Sequence, residues 1–292
     1  MENIRIGTLV NAINTVDHIP TLVNLGFESL SITFWESTGD INLVELAKKA
    51  RAMTDPADVK ISSLSVFGNP LTGEGNSADT YQSWIRAIDN APLFGADMVT
   101  GFTGRMPGSI PESIPAFKKV FGELVRRAEN NGVKIAFENC YMGGNWASGD
   151  WNIAVNPKAW ELMFDAVPND NIGLEWEPCH QMVQFIDPIP QLRKWAKKIF
   201  HVHGKDATIA WDVLKENGNG GPEEWCWHRT PGFGDSNWTD IITILRQNGY
   251  TGCIDIEGWH DPVYVGDLEM TGQVQALKYL KACRGGDFIQ NP

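Results

Sequence analysis

Four short stretches of this chain end in groups that can bind a cation or carry a proton. Ile135-Ala136-Phe137-Glu138-Asn139, Gly173-Leu174-Glu175-Trp176-Glu177-Pro178 and Ile254-Asp255-Ile256-Glu257-Gly258 close on carboxylates. Phe200-His201-Val202-His203-Gly204-Lys205-Asp206 closes on imidazoles and charges. In an extended strand alternate residues share a side, so His201, His203 and Lys205 point one way. Carboxylate oxygens and neutral imidazoles ligate divalent cations, and the same groups accept and return protons. Four strand ends of this kind suggest one shared site, held by Glu138, Glu177, His203 and Glu257. Three carboxylates and one imidazole make a hard, oxygen-rich set that suits Mn2+ or Mg2+, and also Co2+, better than structural Zn2+.

A shared site requires elements that bring the four ends together, and the rest of the chain supplies them. Strands are expected at Ile4–Val10, Glu28–Phe34, Lys60–Phe67, Ala96–Phe102, Val133–Asn139, Asn171–Glu177, around His201 and at Gly252–Glu257. Helical patterns alternate with them: Val16–Asn24, Asn42–Met53, Ser77–Leu93, Pro111–Asn130, from Asn156-Pro157, Pro190–Lys197, Asn237–Gln247 and Thr271–Cys283. Gly26 and Asn131-Gly132 stop two of these helices, and Pro157 starts another. Eight strand–helix pairs with mostly apolar strands predict parallel strands covered by helices, closed as a (β/α)8 barrel. Helix-to-strand connections are short, whereas the strand-to-helix ones are long, at about 68–76, 103–110, 140–155 and 207–235. A barrel puts all the long ones on the C-terminal face, where active sites lie. With no linker or low-complexity tract, residues 1–292 read as a single domain.

Composition narrows the partners. The net charge of −12 argues against nucleic acid, which needs a basic surface. No run of about 18 apolar residues predicts a membrane span, and the N-terminus lacks an apolar signal-peptide core. Five cysteines without a CxxC do not form a disulfide framework, and the cytoplasm is the expected compartment. Twelve tryptophans are many for this length, and Trp146, Trp151, Trp211, Trp225, Trp227 and Trp259 fall in Gly-rich loops. They either pack those loops or form a wall for a flat amphipathic ligand such as a sugar ring or an aglycone.

The order of motifs resembles the xylose-isomerase-like barrel superfamily over nearly the whole chain. The resemblance rests on Glu138 within AFEN, the Glu177-Pro178-Cys179-His180 tetrad, His203-Gly204-Lys205-Asp206, Arg229-Thr230-Pro231-Gly232 before Gly234-Asp235, and Ile256-Glu257-Gly258. That group includes ketose 3-epimerases, inosose dehydratases and isomerases, and the endonuclease IV branch. The resemblance implies Glu138, Glu177, His203 and Glu257 as metal ligands, Glu138 and Glu257 doubling as acid/base groups, and His180 and Arg229 as contacts to substrate oxygens. The family tetrad usually begins with Asp, so Glu177 departs from it, and Glu175 becomes a rival ligand or a supporting neighbour. The sequence after Glu257 departs too, with Gly258-Trp259-His260-Asp261.

A divalent cation on adjacent carbonyl and hydroxyl oxygens stabilises the enediolate left by an α-proton. The expected activity is therefore metal-dependent sugar isomerisation or epimerisation, on a non-phosphorylated sugar since no Lys/Arg cluster is visible. The same carbanion would expel an aglycone from a 3-keto-glycoside, which makes a lyase or C-glycoside deglycosidase, with a small partner subunit, the alternative. An endonuclease IV-like repair enzyme needs further metals and histidines where Val66-Phe67-Gly68-Asn69 and Gly101-Phe102-Thr103-Gly104 stand. A non-catalytic sugar-binding barrel is the remaining reading, and pairing of two copies through outer helices is open.

The remaining side chains fill supporting roles. Lys205 and Asp206 would form an ion pair at the mouth or bind substrate hydroxyls, and His260 and Trp35 would reach substrate, Trp35 alternatively packing in the core. His201 is expected to be hydrogen-bonded below His203, and His18 and His228 to face solvent. Cys140 and Cys179 read as packing residues. Met142-Gly143-Gly144-Asn145 is a poor phosphate loop, since no lysine or helix start follows.

Overall fold

The computed structural model describes residues 3–286 and 289–290, so the outermost ends of the 1–292 span, Met1 and Glu2 among them, lie outside. Among the described residues eight strands form a closed barrel. These are β1 (Arg5–Asn11), β2 (Ser29–Trp35), β3 (Lys60–Phe67), β4 (Met98–Gly101), β5 (Lys134–Glu138), β6 (Ile172–Trp176), β7 (Ile199–Gly204) and, after β8 (Asp206–Ile209) and β9 (Cys226–Arg229), β10 (Cys253–Ile256). Around the barrel the order is β1-β10-β7-β6-β5-β4-β3-β2, parallel and alternating with helices as a (β/α)8 barrel. Each expected barrel strand is present within a few residues of its expected bounds.

The chain divides into two compact units. The unit of Leu9–Trp176 with Lys198–His201 holds β2 to β6 in consecutive register. The rings of Trp84, Phe117, Phe121 and Phe137 pack there at centroid distances of 4.8–6.4 Å. Fully buried aromatics of this size contribute about 2–3 kcal/mol each. Ser31, Ser63, Ser65 and Thr100 are buried together on β2, β3 and β4, and each hydroxyl finds its partner in another, at 2.7–2.9 Å. Helix starts are fixed locally: Asn42 accepts from Glu45 N and Asn156 from Ala159 N, while Ser109 and Glu112 form a capping box.

The other unit comprises Met1–Thr8, Glu177–Lys197 and Val202–Pro292. There β1 and β10 run side by side, β10 pairs with β7, and the helix Trp238–Gln247 buries Trp238, Ile241, Ile242, Ile244 and Leu245 on one face. This unit departs from expectation. The stretch 207–235 is not an irregular loop but an antiparallel hairpin, β8 with β9, enclosing the helix Trp211–Asn217. Both hairpin strands have only four residues, and the Gly/Asn-rich segment between them hides their pairing. The four-residue helix Cys179–Met182, directly after the Glu177-Pro178 step, was also not expected.

Gly101, the last residue of β4, has φ 145°, and a Cβ there would collide with the Val66 carbonyl oxygen of β3. Only glycine fits both constraints. Gly101→Ala is expected to lower stability by about 3 kcal/mol, read as a lower urea midpoint with an unchanged slope.

Candidate metal and substrate site

Glu177 follows β6 directly, His203 lies in β7, and Glu257 follows β10, whose Asp255 and Ile256 pair with His203 and Gly204. The Glu257 amide continues the ladder to Gly204 O at 3.2 Å. Adjacent strand ends therefore deliver the side chains to one place. Each offers a ligand atom within 4.8 Å of the others, and all three are buried. Two carboxylates and an imidazole so placed form a possible metal-binding cluster.

Both carboxylates have partners that keep them ionised. The Glu257 Oε1 atom lies 2.9 Å from Lys205 Nζ and 2.8 Å from His260 Nε2, and its Oε2 lies 3.4 Å from His203 Nδ1. Burial alone would raise its pKa, but Lys205 and the two imidazoles hold it well below the usual range. The Glu177 Oε1 atom lies 2.9 Å from His180 Nε2, and Cys179 Sγ reaches Oε2 at 3.4 Å. Burial and the nearby Glu257 charge push Glu177 up, while His180 and Lys205 pull it further down. His180 itself is buried, and desolvation lowers its pKa despite Glu177.

The hairpin and the turn after β10 frame this cluster. Arg229 Nε donates to Asp261 Oδ2 at 2.9 Å, and Thr230 N donates to the same oxygen at 3.0 Å. The Val263 and Tyr264 amides bind Asp261 Oδ1 at 2.8 and 3.0 Å. Burial would raise the pKa of Asp261, but these backbone amides, with Arg229, lower it. Among the described residues the Nη groups of Arg229 carry no hydrogen bond, so the side chain is held by one end and its fork is available. Trp259 adopts φ 50°, a strained conformation for a bulky residue, and this turn folds His260 back onto Glu257.

Several expectations need correction. Lys205 and Asp206 do not form an ion pair. Lys205 turns to Glu257, whereas Asp206 accepts from Trp238 Nε1 at 3.0 Å and from the Ala207 and Ser236 amides at 2.7 and 3.1 Å. Consecutive strand residues face opposite sides, which separates the two. His228 does not face solvent; it is half-buried on β9, its ring centroid 4.9 Å from that of His180. His18 is exposed, as expected.

In the other unit Glu138 closes β5 and is buried, in register with Glu175 on β6. Glu175 Oε1 hydrogen-bonds His201 Nδ1 at 2.8 Å, which gives His201 its expected buried partner. Asn152 pins the chain around Glu138: its Nδ2 donates to the Glu138 and Cys140 carbonyls at 2.8 Å, and its Oδ1 accepts from Thr103 Oγ1 at 2.6 Å. Arg105 is buried and binds the carbonyls of Asn145, Gly108 and Trp146 at 2.7–3.3 Å. A Cβ at Gly149 would stand 2.7 Å from Arg105 Nη1, and one at Gly144 3.3 Å. The Gly-rich stretch is therefore shaped to wrap a guanidinium and not a phosphate. Trp35 is 58 % exposed, which excludes core packing, and its ring lies 5.5 Å from that of Trp151. Cys140 and Cys179 each sit in a small apolar cluster, as expected of packing residues. Asn152, Arg105 and Asp261 carry no local sequence signal, because each acts on backbone far along the chain or in an unremarkable turn.

Comparison with known proteins agrees with this architecture. The family model for xylose isomerase-like TIM barrels matches residues 19–283. Among curated proteins, the uncharacterized protein YfiH of Bacillus subtilis is 24 % identical over 303 aligned positions, covering 90 % of this chain and 93 % of that one. An inosose dehydratase of Clostridium beijerinckii is 29 % identical over 167 positions, covering 56 % of this chain and 52 % of its own length. Among solved structures, 3-keto-D-glucoside 4-epimerase of E. coli superposes with TM-score 0.72 at 13 % identity, covering 96 % of this chain and all of that one (100 %). A D-allulose 3-epimerase from Methylomonas sp. gives 0.69 at 14 %, with 97 % and 99 % covered. No helix among the described residues is long and apolar enough to cross a membrane.

Asp261 supplies a direct test of the turn. In Asp261→Asn the Oδ1 side can keep its two amides, but an NH2 in place of Oδ2 would face the donors of Arg229 and Thr230. A loss of about 2 kcal/mol is expected at pH 7. A depressed carboxylate contributes stability above its ordinary value near 4, and that contribution fades as pH falls through the lowered folded value. The gap in denaturant midpoint between wild type and Asp261→Asn should therefore be full at pH 7 and close as the pH drops below about 4.

Proposed function

We propose, starting from the fact that the chain belongs to the xylose isomerase-like TIM barrel family, that it is a divalent-metal-dependent sugar isomerase or epimerase. One observation carries the reading: two ionised, buried carboxylates and an imidazole converge within 4.8 Å at the ends of neighbouring strands. Such a set repels itself, and a hard cation is the group that relieves it. Glu177, His203 and Glu257 would hold the ion together with Glu138, which the family pattern adds as the fourth ligand. Mn2+ suits these donors best, with Mg2+ or Co2+ as alternatives. When bound, the cation would supply positive charge to the carbonyl and hydroxyl oxygens beside the reacting carbon.

The chain's own groups do the remaining work. Glu257 and Glu138 are the proposed acid/base pair, one removing the proton next to the carbonyl and the other returning it. Lys205 and His260 keep the Glu257 carboxylate ionised and oriented, so that it is available as a base. His180 and the free fork of Arg229 would hold substrate oxygens, and His260, Lys205 and Trp35 would bound the substrate. Burial of the ligands keeps bulk water from competing with these contacts.

A second reading has its own observation. Phe185 stacks on Trp225 at 4.7 Å and 7°, and Trp211 lies 6.2 Å from Phe185, both exposed. An aromatic platform of this kind suits the aglycone of a keto-glycoside, from which the same proton removal would expel a leaving group. The similarity in fold to a 3-keto-D-glucoside 4-epimerase is in keeping with such substrates.

Chelator-treated protein reloaded with Mn2+, Mg2+ or Co2+ and incubated in deuterated water with ketoses and keto-glycosides tests both. Label in recovered sugar supports isomerisation or epimerisation, and released aglycone the lyase. Glu257→Gln and Glu138→Gln should each lower exchange by about 10²–10⁴-fold in protein that remains folded. Full activity after metal removal, or in both variants, would defeat the reading.

A further inference from the structure

We propose that His228 is a direct substrate contact, an imidazole that hydrogen-bonds an uncharged hydroxyl, and that this corner of the site selects hydroxylated over phosphorylated sugars. The inference rests on the sugar-enzyme reading above and names the substrate class for it.

Position comes first. On β9, Cys226 and His228 share one face, opposite Ile209 and Ala207 of β8. Cys226 is buried with Ala207 against Cys179 and Met182, which seats this face of the hairpin on the short helix after Glu177. His228 is thereby brought edge-on to His180 at 4.9 Å and to His260 at 6.0 Å. Those two imidazoles rest on Glu177 and Glu257 respectively. His228 thus stands between the side chains that hold two of the proposed ligands.

Chemistry follows from its surroundings. Among the described residues neither ring nitrogen of His228 has a hydrogen-bond partner, although the residue is half-buried. A polar group so placed is costly until something polar meets it. Burial, reinforced by His180 and Lys205, pushes the imidazole down to about 3, so it is neutral at physiological pH. A neutral imidazole has one donor and one acceptor nitrogen, which matches a hydroxyl in either role. A phosphate dianion has only acceptors and calls for cations. Lys205 is paired with Glu257 and Arg229 shares its charge with Asp261 through Nε, both at 2.9 Å, so each cation's charge is already balanced although the Arg229 fork stays open to hydroxyls.

The Mn2+-loaded full chain is assayed for solvent-deuterium exchange into D-fructose, D-allulose and D-fructose 6-phosphate. Wild type should label at least one free ketose with a kcat/KM at least about tenfold above that for the phosphate ester. His228→Phe, which keeps a flat ring, and His228→Leu should raise KM about five- to tenfold with kcat within about twofold, the effect of one lost neutral hydrogen bond. His228→Gln, which keeps a donor and an acceptor, should recover most of the loss. Equal melting temperatures and metal content would exclude a structural effect, and the two apolar variants guard against one that does not fold. Unchanged KM in the folded variants, or a preference for the phosphate ester, overturns the inference while the sugar-enzyme reading stands. No label in any sugar with wild type overturns that reading itself, and the role of His228 with it.

Discussion

Glu177 and Glu257 bring two negative charges together where water hardly reaches, and much of the unit around them answers that repulsion. Lys205 neutralises one oxygen of Glu257, His260 approaches the same oxygen, and His203 faces the other. His180 and Cys179 divide the oxygens of Glu177. The one ammonium among these partners does not by itself balance two carboxylates. Removing a partner from such a group would leave a buried charge uncompensated, at a cost of about 3–5 kcal/mol. Parallel strands make the arrangement possible, because each ends at the same face and contributes its last side chain to a common rim.

Long connections at that face would be entropically loose if only their ends were fixed. Instead a buried side chain ties several backbone groups at once. Asp261 gathers three amides and Arg229, while Asp206 gathers two amides and the Trp238 indole. In the other unit Arg105 gathers three carbonyls, and Asn152 spans Thr103 and the two carbonyls around Glu138. The strained φ of Trp259 fits the same scheme, since the turn it makes is secured next door by Asp261.

These ties explain what could be read in the sequence and what could not. Barrel strands and helices were legible because their signals are local: apolar alternation, a capping Asn156, a terminating Gly26. The meeting of Glu177, His203 and Glu257 was legible because strand ends and side-chain parity follow from those elements. The same parity argument separates Lys205 from Asp206. The hairpin, His228 and Asp261 were hidden for a different reason. Four-residue strands carry too little pattern, and the partners that give these residues meaning lie far along the chain, 32 residues away for Asp261 and Arg229.

The division between strand ends and loops bears on what the site can become. The proposed proton removal would need a cation site and a carboxylate, and Glu177, His203 and Glu257 are set by the barrel, where a shift of one residue would turn them away. The fate of the resulting charge depends on what lies around the substrate: a second proton carrier gives epimerisation or isomerisation, and room for a leaving group gives elimination. Those surroundings come from β8, β9 and the turn after β10, which carry His228, Arg229, Trp225 and His260. Such segments can be rebuilt without disturbing the ladder beneath. On the proposed reading, metal binding and deprotonation would therefore belong to the barrel, while substrate and outcome would be set by the hairpin that rests on the helix Cys179–Met182.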